Sequence, residues 1–424
     1  MKFLSTRGKS EPFTASDAMT QGLAADGGLF YPEAWPEIEL DFDWSEVGFA
    51  DFAAHLLKPF FEGDPLHDEL PRLAKQAFDF PIPLRALDSQ TSVLELFHGP
   101  TSSFKDVGAR FLALAIEAIP EKSAAPRMVL VATSGDTGGA VASAFSQFTQ
   151  IPVVILYPKG KITARQEKQL TVWGDQVRAF AVDGTFDDCQ RLVKEAFASK
   201  SWTDRHQLIS ANSINIGRLL PQMAYFAYAS LEYQEKNESD ASLIIPSGNL
   251  GNATAALWAK QLRFPIRKVY FAHNGNRAVT DYFQTGEWKP RATVSTLANA
   301  MDVGSASNFE RVRHLYSELE DLRVDASAFS TSDEQIAMTL KMAGEEIWCP
   351  HTAAAIHVRN QHAQGDWIVV ATAHPAKFDT VLEPLLGVKI PVPVSLERLL
   401  ALPSKKTEIR ASLEELRLAI INQR

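Results

Sequence analysis

Cysteine is nearly absent from this sequence: Cys189 and Cys349 are the only two in 424 residues. That excludes a disulfide framework and a thiolate metal cluster. Long apolar runs are missing as well. None approaches the roughly 20 residues needed to cross a bilayer, so no membrane span is expected. Positive charge is in deficit, with 42 Lys and Arg against 51 Asp and Glu and a formal net charge of -9. A general nucleic-acid or anionic-membrane surface needs the opposite balance. The opening residues, Met-Lys-Phe-Leu-Ser-Thr-Arg-Gly-Lys, contain no apolar signal core, and a cytoplasmic enzyme is the expectation. Gly-x-Gly-x-x-Gly, the Walker loop and the Gly-x-Ser-x-Gly elbow do not occur. His98, His351, His357, His362 and His374 lack His-Glu-x-x-His spacing. Nucleotide binding, triad hydrolysis and metal hydrolysis therefore have little support, and no metal site is expected.

What is present is an ordinary globular composition, 46% hydrophobic and 22% charged, long enough for two or three domains. Residues 1–90 read as a mixed α/β cap. Lys2–Thr6 has strand character, Thr14–Gln21 suits a short helix, and a Gly-rich turn follows at Leu23–Phe30. Amphipathic helical patterns run near Trp44–Phe60 and Leu66–Phe78, with Pro32–Trp44 as surface loop. From about residue 91, strand-length apolar runs alternate with helical patterns. Met128–Ala132 precedes Gly138–Phe148, Val153–Leu156 precedes Thr163–Trp173, Ser242–Ile245 precedes Asn252–Arg263, and Trp367–Ala371 precedes Ala376–Pro384. Continuous Val, Ile and Leu between helices imply parallel strands buried on both faces. The expected fold class is α/β: a cap over 1–90, a smaller lobe over 91–222 and a larger lobe over 223–424. Thr293–Cys349 reads as mostly helical without a definite place. Pro403–Lys406 reads as a linker to one last helix, Glu408–Asn422.

Lys105 stands out within Leu94–Phe111, where a short strand meets a Gly-Pro turn rich in hydroxyls and then a helix starting near Phe104. A lysine in the first turn opposes the helix dipole, and with partial burial it loses proton affinity, as Schiff-base chemistry requires. Taken alone, it reads as a solvated residue at an ordinary helix start capped by Ser102 or Ser103. Three further turns fall at the carboxyl ends of expected strands, where ligands gather in parallel sheets. Ala132-Thr-Ser-Gly-Asp-Thr-Gly-Gly139 and Pro246-Ser-Gly-Asn-Leu-Gly-Asn252 both turn from strand into helix, where backbone amides meet anions. Ala371-Thr-Ala-His-Pro375 presents Thr372 at the end of an apolar strand. Each turn alone reads first as structural; their shared position is what joins them. A fourth cluster, Ser210–Arg218, offers Asn212, Ser213 and Arg218 either as helix caps and an exposed arginine or as a phosphate site. Lys159, Lys161 and Arg165 form another basic group, read alone as a solvated face.

In order along the chain, Leu23-Ala-Ala-Asp-Gly-Gly-Leu-Phe30, His98-Gly-Pro-Thr-Ser-Ser-Phe-Lys-Asp106, Thr133-Ser-Gly-Asp-Thr-Gly138, Lys159-Gly-Lys-Ile162, Ser247-Gly-Asn-Leu-Gly-Asn252 and Thr372-Ala-His-Pro-Ala-Lys-Phe378 resemble the threonine synthase family, of the longer bacterial and fungal type. That family lies among the fold-type-II pyridoxal-phosphate enzymes. The resemblance implies that architecture, with pyridoxal 5'-phosphate carried on Lys105 and its phosphate cradled by Gly248, Asn249, Leu250, Gly251 and Asn252. It places Thr372 at the pyridine nitrogen. Thr101, Ser134, Gly135, Asp136 and Thr137 would meet the substrate, and Asn212, Ser213 and Arg218 its phosphate. An anionic Asp136 would repel a substrate carboxylate. The implied reaction converts O-phospho-L-homoserine and water to L-threonine and phosphate, with Lys105 moving protons between Cα and Cβ. Readings left open are a phospholyase or serine/threonine dehydratase giving a 2-oxo acid, and a pyridoxal-phosphate carrier or nucleotide-binding module without catalysis. A small-molecule substrate and a monomer or small homo-oligomer are expected.

Overall fold

The computed structural model describes residues 1–40 and 43–422. Thirteen strands form three sheets. β1 (Phe3–Ser5) and β2 (Phe30–Pro32) pair antiparallel in the N-terminal cap. A six-stranded sheet comprises β3 (Leu84–Ala86), β4 (Thr91–Glu95), β9 (Ala241–Pro246), β10 (Ile266–His273), β11 (Ala326–Ser330) and β12 (Trp367–Ala371), in the order β11-β10-β9-β12-β4-β3. A five-stranded sheet takes β5 (Arg127–Ala132), β6 (Val153–Pro158), β7 (Val177–Asp183), β8 (Gln207–Ile209) and β13 (Thr407–Arg410), in the order β13-β7-β6-β5-β8. Every pairing in the two larger sheets is parallel except β3 with β4.

The parallel strands bury both faces. β5, β6, β9 and β12 have no exposed residue along their length. This is why their sequences read as unbroken apolar runs rather than alternating ones. The helix Ile216–Asn237 packs between the helices Lys105–Ala118 and Gly251–Gln261, while Phe52, Phe60, Phe61 and Phe111 bury the cap's helices against the same core.

The sheets do not divide the chain at residues 90 and 222. β4 lies in the six-stranded sheet between β12 and β3, and β13 returns from the chain's end to the edge of the five-stranded sheet beside β7. Each lobe is therefore discontinuous in sequence. Residues 408–410, expected as the start of a helix, lie in β13, and the last helix is shorter, Leu413–Asn422. The stretch expected to be mostly helical between Thr293 and Cys349 holds loop, three helices of seven to nine residues, and β11. Residues 41 and 42 of the expected Pro32–Trp44 loop lie outside the described residues. Among the described residues no helix is long and apolar enough to cross a membrane.

Candidate active site

The carboxyl ends of β4, β5, β9 and β12 open onto one cavity. Lys105 is the first residue of the helix Lys105–Ala118, with Phe104 at its cap. Neither Ser102 nor Ser103 caps it by side chain. The turn is instead stitched to the chain beyond β12: Phe104 N donates to Thr372 O at 2.9 Å and His374 N to Ser102 O at 3.0 Å. Ser102 adopts a φ of 56°, which carries the chain sharply into the helix. Asp106 then locks the turn from inside, accepting from Thr101 N at 2.9 Å and from Thr101 Oγ1 at 2.6 Å. Burial lowers the Lys105 amine to about 8; Asp136 opposes this, while Lys377 and Arg218 add to it.

The turn after β9 lacks charge. Leu250 caps the helix Gly251–Gln261 at φ 60°, and the first intrahelical bond is Thr254 N to Leu250 O at 2.8 Å. The amides of Gly251, Asn252 and Ala253 therefore precede the helical ladder and face its open end, an anion cradle by geometry. A Cβ on Gly248 would fall 2.7 Å from the Met301 Cα, so glycine is required for the close approach of these two backbones. Asn249 braces rather than points inward. Its Nδ2 donates to Ser213 Oγ at 2.8 Å, and its Oδ1 accepts from Ser307 N at 2.5 Å. Asn252 Oδ1 accepts from the Tyr225 hydroxyl, which leaves its buried Nδ2 without a protein partner at the cavity wall.

The turn after β5 carries the charge. Gly135 sits at φ 128°, and a Cβ there would meet the Gln166 amide at 2.7 Å. Thr133 Oγ1 accepts from Gly135 N at 2.9 Å and Gly138 N at 2.8 Å, folding the loop. Asp136 opens the helix Asp136–Phe145 and is 3% exposed. Burial alone would raise its pKa; the charges of Lys377, then Lys105, outweigh burial and hold it far below the usual carboxylate range. The carboxylate is thus already neutralised by lysines, so the repulsion expected from Asp136 is absent.

Lys105, Ser134, Asp136, Thr137, Asn212, Ser213, Arg218, Gly248, Asn249, Leu250, Gly251, Asn252 and Thr372 all line this cavity. Thr101 does not. It is fully buried, and its carbonyl accepts from Gln169 Nε2 at 3.0 Å and Lys377 Nζ at 2.8 Å. With its hydroxyl and amide held by Asp106, it shapes the lysine turn and is unavailable to a substrate. Gly135 acts by its backbone and lies behind the lining. Asn212 and Ser213 are not helix caps; Asn215 is. Asn212 Nδ2 donates to Ala132 O at 2.8 Å, and Ser213 joins the glycine turn through Asn249. Arg218 is 2% exposed, bonds Ala211 O at 2.5 Å, and keeps a buried Nε without a partner. Burial lowers it to about 10, so it stays a cation. The Lys159–Arg165 group is not brought to the cavity: Lys159 pairs with Glu408 and Arg165 with Asp379. His98 pairs with Glu95 at 2.8 Å and also lies elsewhere.

Sequence reasoning missed three residues here. His351 lines the cavity, and its Nε2 accepts from Ala300 N at 3.1 Å, so the ring is neutral with its proton on Nδ1. Burial lowers its pKa to about 4. Lys377, fully buried in the turn after β12, reaches Asp136. Arg311, also buried, holds Phe30 O at 2.8 Å, Ile214 O at 2.7 Å and Asn308 Oδ1 at 2.6 Å, tying the cap to the Ser213 segment. Only Lys377 carried a signal, as a member of the quoted Thr372–Phe378 motif.

These residues suit pyridoxal phosphate. A buried amine of lowered proton affinity, a Cβ-free amide cradle and the partnerless donors of Asn252 and Arg218 match an aldehyde bearing a phosphate dianion. Three family models match the chain: threonine synthase N terminus over residues 2–78, pyridoxal-phosphate dependent enzyme over 82–372, and threonine synthase C-terminal over 351–420. The chain is 39% identical over 421 residues to the threonine synthase of Haemophilus influenzae, spanning 98% of this chain and 99% of that one. Its fold is similar to the crystal structure of threonine synthase from Escherichia coli, with a TM-score of 0.90 at 36% identity and complete coverage of both chains. It is equally similar to the pyridoxal-phosphate-bound threonine synthase of Brucella melitensis, with a TM-score of 0.90 at 30% identity over 100% of this chain and 99% of that one.

Proposed function

The chain belongs to the threonine synthases, and from that premise we propose how its own residues divide the work of converting O-phospho-L-homoserine and water to L-threonine and phosphate. The enzyme is pyridoxal-phosphate dependent and makes threonine. When bound, the cofactor supplies an electron sink for charge developing at the substrate's α and β carbons.

Lys105 Nζ holds the cofactor and is the base and acid of the reaction. It takes the proton from Cα, and its pKa of about 8 suits a group that must alternate between the two forms near neutrality. The Gly248–Asn252 turn would hold the cofactor phosphate by its open amides, and Thr372 would offer a neutral hydroxyl to the pyridine nitrogen. The amides of Asp136 and Thr137, at the free end of their helix, bind the substrate carboxylate. Lys105 also takes a proton from Cβ as the phosphate, held by Arg218 and Ser213, leaves Cγ. Cγ gains one proton and Cα regains one, and the hydroxyl of water adds at Cβ while its other proton goes with the phosphate.

The observation carrying this division is the convergence of Lys105, the uncharged glycine turn, Arg218 and Thr372 on one cavity. Incubation with O-phosphohomoserine, following phosphate, threonine and 2-oxobutyrate together, tests it. Threonine and phosphate in equal amounts are expected. Phosphate accompanied by 2-oxobutyrate instead of threonine would make the enzyme a phospholyase.

A further inference from the structure

One buried carboxylate stands between a fully buried lysine, Lys377, and a largely buried one, Lys105. Asp136 Oδ1 is 2.9 Å from Lys377 Nζ, and Asp136 Oδ2 is 3.8 Å from Lys105 Nζ. Gln166 Nε2 donates to Oδ1 at 3.0 Å, and Lys377 also donates to Thr101 O at 2.8 Å. The carboxylate comes from the turn after β5, in the five-stranded sheet. The closer lysine comes from the turn after β12, in the six-stranded sheet. Lys377 has no solvent contact, and an ammonium in such a place needs a counter-ion. Asp136 is that counter-ion, and the shorter of its two lysine distances is to Lys377.

The arrangement matters because Lys105 has to lose its proton to act. If Asp136 had Lys105 alone, deprotonating Lys105 would strand a buried carboxylate. With Lys377 in place, the carboxylate stays compensated whichever form Lys105 takes. The other charged or titratable groups that bear on Lys105 are Arg218, a cation; His351, neutral; and the Cys349 thiol, which burial pushes up and keeps neutral. None of them replaces Lys377 as a partner for Asp136; the buried Asp106, near Lys377 and pushed up by burial, is held by the amide and hydroxyl of Thr101. We propose that Lys377 is a positioning residue of this enzyme: by holding Asp136 as its own counter-ion, it frees the Lys105 amine to give up its proton. This rests on Lys105 being the cofactor lysine.

The test is a titration of Lys105 in the full-length chain after removal of cofactor. Brief labelling with acetic anhydride across pH 6 to 10, with Lys105 acetylation read by peptide mass spectrometry, gives the midpoint of the amine. The unaltered chain is expected to titrate at about 8. Lys377→Met is expected to raise the midpoint by about one unit or more, since an exclusive opposite charge at this range shifts a pKa by about 1–3 units. Lys377→Arg keeps it near the starting value, and Lys377→Met with Asp136→Asn brings it back down. In the holoenzyme, the pH at which kcat rises moves in the same order. A midpoint unmoved by Lys377→Met would overturn the proposal. Should that variant not fold, Asp136→Asn alone reads the same carboxylate: its Lys105 midpoint must fall, and an unchanged one overturns the proposal equally. Borohydride labelling of another lysine in the holoenzyme would sink the cofactor assignment, while the apo-protein titration would still judge the ion pair.

Discussion

The turns after β5 and β9 look alike in sequence and do different things. Each is a small-residue loop at the carboxyl end of a buried parallel strand, and each feeds a helix with free first-turn amides. The β9 turn is pressed against backbone: Met301 sits where a side chain on Gly248 would go. The β5 turn is pressed against side chains, with Gln166 against Gly135 and two lysines against Asp136. One is a rigid uncharged cradle; the other is an adjustable charged wall. The backbone device is common to both, and what the rest of the chain packs against it decides its chemistry.

Substitutions separate the two. Gly248→Ala forces a Cβ onto immovable backbone, a strain of about 1–3 kcal/mol, and is expected to weaken cofactor affinity by one to two orders of magnitude in an absorbance titration. Arg218→Ala removes a charge-assisted donor set worth about 1.5–3 kcal/mol, so KM for the phosphorylated substrate rises tenfold or more while cofactor affinity changes far less. Equal loss of both would erase the distinction between the two phosphate positions. Gly135→Ala meets a side-chain amide rather than backbone, but it also forces alanine into the left-handed region at φ 128°, so its strain falls on the β5 turn. A severalfold rise in KM with cofactor affinity intact is expected, and a cofactor defect as large as that of Gly248→Ala would break the comparison.

Acid acts on the site without mutation. His351 and His273 are each lowered by burial to about 4, against an ordinary value of 6.5. Between those values the unfolded chain binds protons that the native state refuses, so stability falls as pH drops from about 6.5 towards 4. The slope is up to about 1.4 kcal/mol per pH unit for each histidine. Urea midpoints over this range check it, and replacing His351 with glutamine should flatten the fall.

Much of this was legible in the residues. The strands β5, β6, β9 and β12 are continuous apolar runs; the turns after β9 and β12 carry the glycines and Thr372, and Lys105 follows the short strand β4. Of the strands not legible in the sequence, β11 and β13 are edges of the two larger sheets. β11, Ala-Ser-Ala-Phe-Ser, is half-buried, and β13, Thr-Glu-Ile-Arg, turns one apolar side chain inward. Neither has a run to see, and β13 finds β7 more than two hundred residues away. Chain order therefore misassigned β4 and β13 to lobes. Thr101 looked like a substrate hydroxyl because composition does not reveal that Asp106, five residues on, occupies it. Asp136 looked repulsive because its counter-ion, Lys377, lies 241 positions later in the chain.

The central claim is that Lys105, and not the more deeply buried Lys377 on the other side of Asp136, carries the cofactor. Borohydride reduction of the holoenzyme followed by peptide mapping tests it directly. The account predicts the pyridoxyl group on Lys105 alone; a pyridoxyl group on Lys377, or on any other lysine, would contradict it.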